Sequence, residues 1–293
     1  MSACWLRFYG LMMWLAQPLF RRKLARRSQK EPGYSEAIEE RFGHYSQPAE
    51  AASELLWIHA VSLGETRTAA ILLKALRARQ PDIRILLTHG TATGRTEGRA
   101  LLRPGDVQVW QAWDSPAAVK RFFRHFKPRQ GWLMETEIWP ITVAMAKKMA
   151  IPLVLVNGRL SEKTLQQTLK LSQLAYPAYA ALSQVYVQTT DDARRFRQLG
   201  VVVDGVFGNL KFDATPDESQ LSLGKSWRQQ LQQPVLMFAS SREGEEAVFF
   251  KQISAVAHAQ SAVDKAANAQ IRFLVVPRHP QRFDEVQALV EKH

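Results

Sequence analysis

Short uncharged runs recur along most of the chain, and each is followed by a segment with apolar positions at helical spacing. The run from 55 to 61 carries no charge, which predicts a strand buried on both faces of a sheet. The next segment, 67 to 79, places its alanine and leucine residues on one side of a helix. The stretch from Ser62 to Thr66 is therefore predicted to be a strand-to-helix turn.

The same alternation continues as far as about residue 213. Further strands are predicted at 83–88, 107–110, 131–134, 152–156 and 185–187, and the apolar segment 201–207 leads into the turn 208–213. A helix is predicted from Ser115 to about Phe126, because proline is favoured in the first turn. Strands alternating with helices at this rhythm predict a doubly wound α/β domain.

A second, shorter block follows a predicted hinge at 214–220. It contains strands at 235–239 and 271–276, a turn at 240–246 and a helix from about Asp284. Two strands and two or three helices cannot close a doubly wound domain, because each face of such a sheet needs helices and neighbouring strands. We therefore expect the second domain to be incomplete in this chain.

Glu65 is the first candidate for chemistry. The carboxyl ends of strands in open α/β sheets are where ligands bind, and the N-terminal turn of a helix stabilises an ionised carboxylate. A carboxylate held there can accept a proton from a bound hydroxyl. Ser62-Leu63-Gly64-Glu65 is equally a capping box, in which Ser62 caps the helix and Glu65 bonds back to the Ser62 backbone N–H. The spacing leaves both interpretations open.

Two more carboxylates, Glu135 and Glu137, follow the predicted fourth strand and face the same edge as Glu65. They are candidates for the same site, or caps of the next helix together with Thr136. The loop 89–95 consists largely of small residues and either approaches a ligand closely or merely turns, and the second is the default.

Composition narrows the function classes. A chain of 293 residues with 46% hydrophobic content can bury a large core. One cysteine, Cys4, excludes an internal disulfide framework, and no His-x-x-His spacing occurs, so we expect no metal. The net charge of +12 is concentrated in seven cations before Glu31. This distribution favours an anionic surface as partner and argues against nucleic acid.

The N-terminal segment 1–30 is predicted to be a membrane-associated basic helix. Residues 5–20 are largely apolar, and a cluster of Arg and Lys follows at 21–27. A secretory signal is disfavoured, because it needs a small-residue cleavage site after the apolar stretch. A spanning helix needs roughly 20 apolar residues, so an interfacial anchor with the domain on the cytoplasmic side is favoured. The remaining alternative is a core helix with a solvated basic end.

Five motifs in order resemble the family of 3-deoxy-D-manno-octulosonic acid (Kdo) transferases. They are Val61-Ser62-Leu63-Gly64-Glu65-Thr66, Met134-Glu135-Thr136-Glu137-Ile138-Trp139-Pro140, Leu210-Lys211-Phe212-Asp213, Glu243-Gly244-Glu245-Glu246 and Val276-Pro277-Arg278-His279-Pro280. Each motif alone is weak, but together they cover nearly the whole chain.

The resemblance implies a GT-B type glycosyltransferase with two Rossmann-like domains, the second incomplete here. It implies an acceptor domain at 31–213 and a partial donor domain at 214–293. The donor would be CMP-Kdo and the acceptor a lipid A precursor at the cytoplasmic face of the inner membrane, with no cofactor.

By the same resemblance, Glu65 would be the general base of an inverting transfer, and Glu135 and Lys211 would stabilise the transition state. Arg278 and His279 would bind the CMP moiety.

Two alternatives remain from the sequence. The chain lacks the glycine-rich stretch and the His-Asn-Pro segment with which the family completes its donor pocket, so a non-catalytic membrane-associated acceptor-binding module is one. Another GT-B enzyme with a different nucleotide sugar is the second. Without the resemblance, Lys211 is interpreted as an exposed loop lysine. Arg278 and His279 are then interpreted as residues of a solvated loop.

Overall fold

The computed structural model of the chain describes residues 3–51, 53–231, 233–260 and 271–292. It divides into two compact units, Met1–Ala214 and Thr215–His293. The predicted N-terminal segment 1–30 belongs to the first unit.

The first unit contains a seven-stranded sheet in which every recorded strand pair is parallel. The strands are β1 Leu56–His59, β2 Ile85–His89, β3 Val107–Trp110, β4 Gln130–Met134, β5 Leu153–Gly158, β6 Gln184–Val187 and β7 Gly205–Val206. Their spatial order is β3-β2-β1-β4-β5-β6-β7. The prediction of an α/β fold with a parallel sheet is confirmed.

Helices of this unit cover the sheet. They are α1 Ala3–Leu15, α2 Gln17–Ser28, α3 Leu63–Arg79, α4 Ala92–Arg99, α5 Pro116–Phe126, α6 Pro140–Lys148, α7 Glu162–Lys170, α8 Ser172–Tyr179 and α9 Thr190–Gln198. Short 3-10 turns occupy Pro32–Ser35, Ile38–Phe42 and Leu210–Asp213. All four residues of β1 are buried, because one face of the strand packs on α3 and the other on the α5 side of the core.

The predicted single helix over 1–30 is wrong, because the segment forms the two helices α1 and α2. The break falls at Ala16, and Pro18 lies in the first turn of α2. Proline has no backbone N–H, so it cannot continue the hydrogen-bond ladder of α1. Among the described residues, no helix is both long enough and apolar enough to cross a bilayer.

One face of α1 packs on the domain. Burial, together with the nearby Asp114 carboxylate, raises the pKa of Tyr9, and the indole N–H of Trp113 donates to the Met13 carbonyl at 2.7 Å. A Cβ on Gly10 would lie 3.0 Å from Pro116, so glycine permits the close approach of α1 to α5. The opposite face of α1 exposes large apolar side chains at Trp5, Phe8, Leu11, Met12, Trp14 and Leu15. Helix α1 is therefore a docked helix with an uncovered apolar face.

The second unit pairs two parallel strands, β8 Val235–Ser241 and β9 Arg272–Pro277, in a small sheet. Its helices are α10 Glu218–Gln230, α11 Glu245–Gln260 and α12 Phe283–Val290. Part of the predicted hinge at 214–220 is thus the start of a helix, capped by the Asp217 carboxylate, which accepts from the backbone N–H of Ser219 at 2.8 Å. Many apolar side chains of this unit are exposed, among them Met237 and Phe273.

Candidate active site

The centre of the first sheet is a topological switch point. The chain runs outward from β1 through β2 to β3, then returns to the other side of β1 and continues from β4 to β7. In such sheets a crevice opens beyond the carboxyl ends of the two strands at the switch. Glu65 follows β1 and Glu135 follows β4, so the fold brings the two predicted carboxylates to the same crevice.

Glu65 takes part in a capping arrangement at the start of α3. Ser62 is the N-cap residue, and its hydroxyl oxygen accepts from the Glu65 backbone N–H at 3.3 Å and donates to Glu65 Oε1 at 2.8 Å. Glu65 Oε2 accepts from the Val61 backbone N–H at 2.9 Å. The carboxylate therefore accepts from the backbone N–H of Val61, one residue before the predicted partner Ser62.

Capping leaves room for a second role. A carboxylate has about four lone-pair sites on its two oxygens, and two of them are used by Val61 and Ser62. Burial raises the pKa of Glu65 against the lowering effect of these two hydrogen bonds, and the nearby Glu135 charge raises it further. A raised pKa makes the carboxylate a stronger base, so the capping and general-base interpretations are compatible.

Glu135 adopts a strained backbone conformation. Its φ is +55°, in the left-handed region that side chains other than glycine rarely adopt. Two hydrogen bonds to the end of β5 hold the segment: the Glu135 N–H donates to the Val156 carbonyl at 3.0 Å, and Thr136 Oγ1 donates to the Arg159 carbonyl at 2.6 Å. The end of β5 thus fixes the direction in which the β4 loop turns.

Glu137, the other candidate at this strand end, belongs to the same carboxylate group, although the family resemblance assigns it no role. Its Oε2 accepts from the Trp139 indole N–H at 3.0 Å and lies 3.9 Å from Nε2 of His59. Burial, followed by the charges of Glu65 and Glu135, raises its pKa to about 7. Burial also lowers the pKa of His59 to about 3, so the imidazole is neutral at pH 7 and does not form an ion pair with Glu137.

The signal for Glu137 was present in the sequence, because it lies two residues beyond Glu135 at the same strand end. His59 lay inside the apolar run of β1, where nothing distinguishes it from a core residue. It is 1% exposed, and its Nε2 has no hydrogen-bond partner.

Lys211 lies on the 3-10 turn Leu210–Asp213, which packs against α3, the helix that carries Glu65. The turn is anchored by Asn157 at the end of β5, whose side-chain oxygen accepts from the Leu210 N–H at 3.1 Å. Leu210 also packs on the core beside Met134, the last residue of β4. The Lys211 side chain is exposed. The structure therefore brings its turn to the same edge as Glu65 and Glu135.

The small residues of the 89–95 loop serve packing. The N–H groups of Gly90 and Thr91 both donate to the Val61 carbonyl, at 3.1 and 3.0 Å. A Cβ on Gly90 would lie 2.6 Å from a Val61 methyl carbon. The loop thus supports the turn that carries Ser62 and Glu65, and α4 begins within it at Ala92.

Arg278 and His279 lie in the second unit, directly after β9, and both are exposed. The Arg278 N–H donates to the Ser241 carbonyl at 3.0 Å, which ties the ends of β8 and β9 together. Next to them Ser240 has a φ of +61°, and Ser241 donates to the buried Glu246 at 2.7 Å. Their predicted role in binding CMP stays a prediction.

Within the described part of the chain, no group of three or more His, Cys, Asp or Glu side chains is arranged to hold a metal ion.

Comparison with known proteins identifies the family. A family model described as 3-deoxy-D-manno-octulosonic-acid transferase (kdotransferase) matches residues 36–214. The 3-deoxy-D-manno-octulosonic acid transferase of Bordetella pertussis is 43% identical over 86% of this chain and 58% of its own length. That of Haemophilus influenzae is 28% identical over 98% of this chain and 66% of its own length.

Solved structures share the fold at low identity. The UDP co-structure of S. aureus MnaA superposes with a TM-score of 0.50 at 14% identity, covering 83% of this chain and 67% of that one. The chain spans 58% and 66% of the two curated relatives named above. Since the family model covers more than half of the chain, this protein belongs to the 3-deoxy-D-manno-octulosonic acid (Kdo) transferase family.

Proposed function

We propose that the chain forms the acceptor side, and part of the donor side, of a GT-B type transferase that moves Kdo from CMP-Kdo to a lipid A precursor. The observation that carries the proposal is the meeting of Glu65, Glu135 and the Lys211 turn at the switch point of the parallel sheet. Membership of the Kdo transferase family supports the sugar. The nucleotide and the lipid acceptor come from the motif resemblance.

Glu65 acts as the general base of an inverting transfer. Its carboxylate takes the proton of the acceptor hydroxyl while the hydroxyl oxygen attacks the anomeric carbon of Kdo. The bond from that carbon to the phosphate oxygen breaks, and CMP leaves with the electron pair. Burial favours this role because it raises the pKa of Glu65, and Ser62 and Val61 hold the carboxylate in place.

Charge at the site of the first unit is balanced by Lys211. Kdo carries a carboxylate and the departing CMP a phosphate, so a cation beside Glu65 stabilises charge that grows in the transition state. Lys211 supplies such a cation, and Glu135 acts with it in stabilising the transition state, as the family resemblance implies. Arg278 and His279, at the carboxyl end of β9, bind the CMP phosphate.

The N-terminal helices support our proposal that this site works at the cytoplasmic face of the inner membrane. Helix α1 exposes a row of large apolar side chains. Helix α2 and the residues directly after it carry a cationic cluster, formed by Arg22, Lys23, Arg26, Arg27 and Lys30. Each cation near an anionic leaflet adds about 1 kcal/mol of binding, and apolar side chains inserted into the headgroup region add to it.

The test is transfer of Kdo from CMP-Kdo to lipid A precursor in mixed micelles, with the full-length protein. We expect Glu65→Gln to lower kcat by about 10² to 10⁴, the range of general-base contributions. The matched control is Asp192→Asn, because Asp192 caps α9 through Thr189 as Glu65 caps α3 through Ser62. Near-normal turnover of Glu65→Gln would remove Glu65 as the base. Competition by UDP as strong as that by CMP would favour another nucleotide sugar.

A further inference from the structure

An apolar groove runs along α1 and α8 beside the candidate active site. It is lined by Phe8 and Met12 of α1, Leu171 and Leu174 at α8, and Ile138 and Trp139 of the segment between β4 and α6. Its volume is about 580 Å³. We call it the α1–α8 groove.

The groove borders exposed apolar residues on one side and a polar contact of the candidate site on the other. At its α1 side the groove opens onto the row of exposed apolar residues, in which Phe8 is 54% and Trp14 58% exposed. At its inner side lies Trp139, whose indole N–H donates to Glu137 at 3.0 Å. One continuous apolar surface therefore connects the outside of α1 with the carboxylate group of the site.

Charge at the rim indicates the kind of molecule that enters. Lys170 lies at the rim of the groove, and the cationic cluster of α2 follows α1 in the chain. An apolar slot with cations around it is complementary to a lipid that has a hydrocarbon chain and an anionic headgroup. A protein helix as occupant would need neither the cations nor the connection to Glu137.

We propose that the α1–α8 groove binds one acyl chain of the lipid acceptor and thereby holds the acceptor headgroup beside Glu65 and Glu137. This inference rests on the proposed function, since that function supplies a lipid acceptor. Trp139 has two contacts in this arrangement, its ring with the chain and its N–H with Glu137. Binding energy gained on the unreactive chain thus orients the reacting hydroxyl.

The test uses the full chain of 293 residues and a fluorescent twelve-carbon fatty acid, titrated below its critical micelle concentration. We expect saturable binding at one site. Phe8→Asp and Leu171→Asp should each weaken it at least tenfold, because a carboxylate then lines an apolar wall. Leu11→Asp is the matched control, because Leu11 is 51% exposed on the same helix and does not line the groove. The thermal transition of each variant verifies folding.

Displacement separates the acceptor from bulk lipid. Lipid A precursor should displace the fluorescent probe at a concentration at least tenfold below that of a phosphatidylglycerol with equal acyl chains. Absence of saturable binding, or equal weakening of binding by Leu11→Asp, would refute the α1–α8 groove as the binding site. Equal displacement by phosphatidylglycerol would overturn the acceptor as its occupant. None of these readouts depends on transfer, so groove binding in an enzyme without Kdo transfer would refute the proposed function and leave the groove intact.

Discussion

The double role assigned to Glu65 predicts that two substitutions at this position separate stability from catalysis. Glu65→Ala removes the acceptors of both the Val61 N–H and the Ser62 hydroxyl. Loss of an acceptor for a part-buried donor costs about 1 to 3 kcal/mol, and loss of a cap about 0.5 to 2 kcal/mol. Burial of the ionised Glu65 carboxylate is unfavourable, as its raised pKa indicates, and removing the carboxylate offsets part of this cost. We therefore expect Glu65→Ala to lower the free energy of unfolding by about 1 to 2 kcal/mol.

Glu65→Gln keeps one oxygen acceptor and the shape of the side chain. The amide oxygen can still accept from Val61 N–H, so we expect a loss below about 1 kcal/mol. In a unit of this size, each kcal/mol lowers Tm by about 2 to 4 °C. The assay is the thermal transition followed by tryptophan fluorescence at pH 7, together with Kdo transfer by the whole enzyme. Transfer should fall by at least about a hundredfold in both variants.

Two results would refute this reasoning. If Glu65→Ala leaves Tm unchanged, the capping arrangement does not hold the start of α3. If Glu65→Gln loses as much stability as Glu65→Ala, the charge itself caps the helix, and a loss of transfer in the glutamine variant can no longer be attributed to the base. Asp192→Asn should, like Glu65→Gln, lose less than about 1 kcal/mol, because its amide oxygen can still accept from the backbone N–H of Leu160, and it should not lose transfer.

The remaining predictions concern four other positions. Glu135→Gly should be more stable than Glu135→Ala by about 1 kcal/mol, because glycine adopts a φ of +55° without strain; equal Tm values would contradict that strain. The pKa of Glu137 is raised from 4.5 to about 7, so the folded protein binds more protons than the unfolded one between these pH values. As pH rises through this range, the free energy of unfolding of the wild type should fall by up to roughly 3 kcal/mol relative to that of Glu137→Gln. Urea titrations at pH 4, 6 and 8 measure this difference, which should be constant above about pH 7. Gly98→Ala should destabilise the first unit by about 1 to 3 kcal/mol, since the new Cβ would lie 2.4 Å from His89. Gly224→Ala, within α10 and with open space around it, should instead stabilise the second unit by about 0.5 to 1 kcal/mol; opposite signs in the two Tm shifts are the check.

The strands of the first unit were predictable because a parallel sheet buries both faces of its strands. The run at 107–110 matches β3 residue for residue, and the runs at 131–134 and 152–156 match β4 and β5 within two residues. The turn at Ser62 was also predictable, since its capping residues have fixed spacing. Helix α10 was not, because its residues are almost all exposed and its sequence has no apolar stripe to distinguish a helix from a hinge.

Parts of the candidate site could not be predicted because they depend on tertiary contacts. The backbone conformation of Glu135 is held by bonds from its loop to Val156 on β5 and to Arg159 directly after that strand. The anchoring of the Lys211 turn by Asn157 joins residues that are 53 positions apart. Glu137 was visible at its strand end, but its raised pKa depends on burial and on the charge of Glu65.

The described residues with positive φ other than glycine show where the chain tolerates strain, and one of them, Ala37, directly precedes the 3-10 turn Ile38–Phe42. Lys127 and Ala150 follow helices α5 and α6, where a left-handed residue commonly ends a helix. Glu135, Asn157 and Ser240 instead lie at the carboxyl ends of β4, β5 and β8, where helix termination does not account for the conformation. Such conformations cost about 1 to 3 kcal/mol each and persist only where the surrounding structure enforces them. Two of the three lie at the switch-point edge and fix the carboxylate loop and the Lys211 turn, and the third lies beside Arg278 in the second unit. Strain is therefore concentrated at the strand ends that position the candidate site residues, as expected if their geometry is set before any substrate arrives.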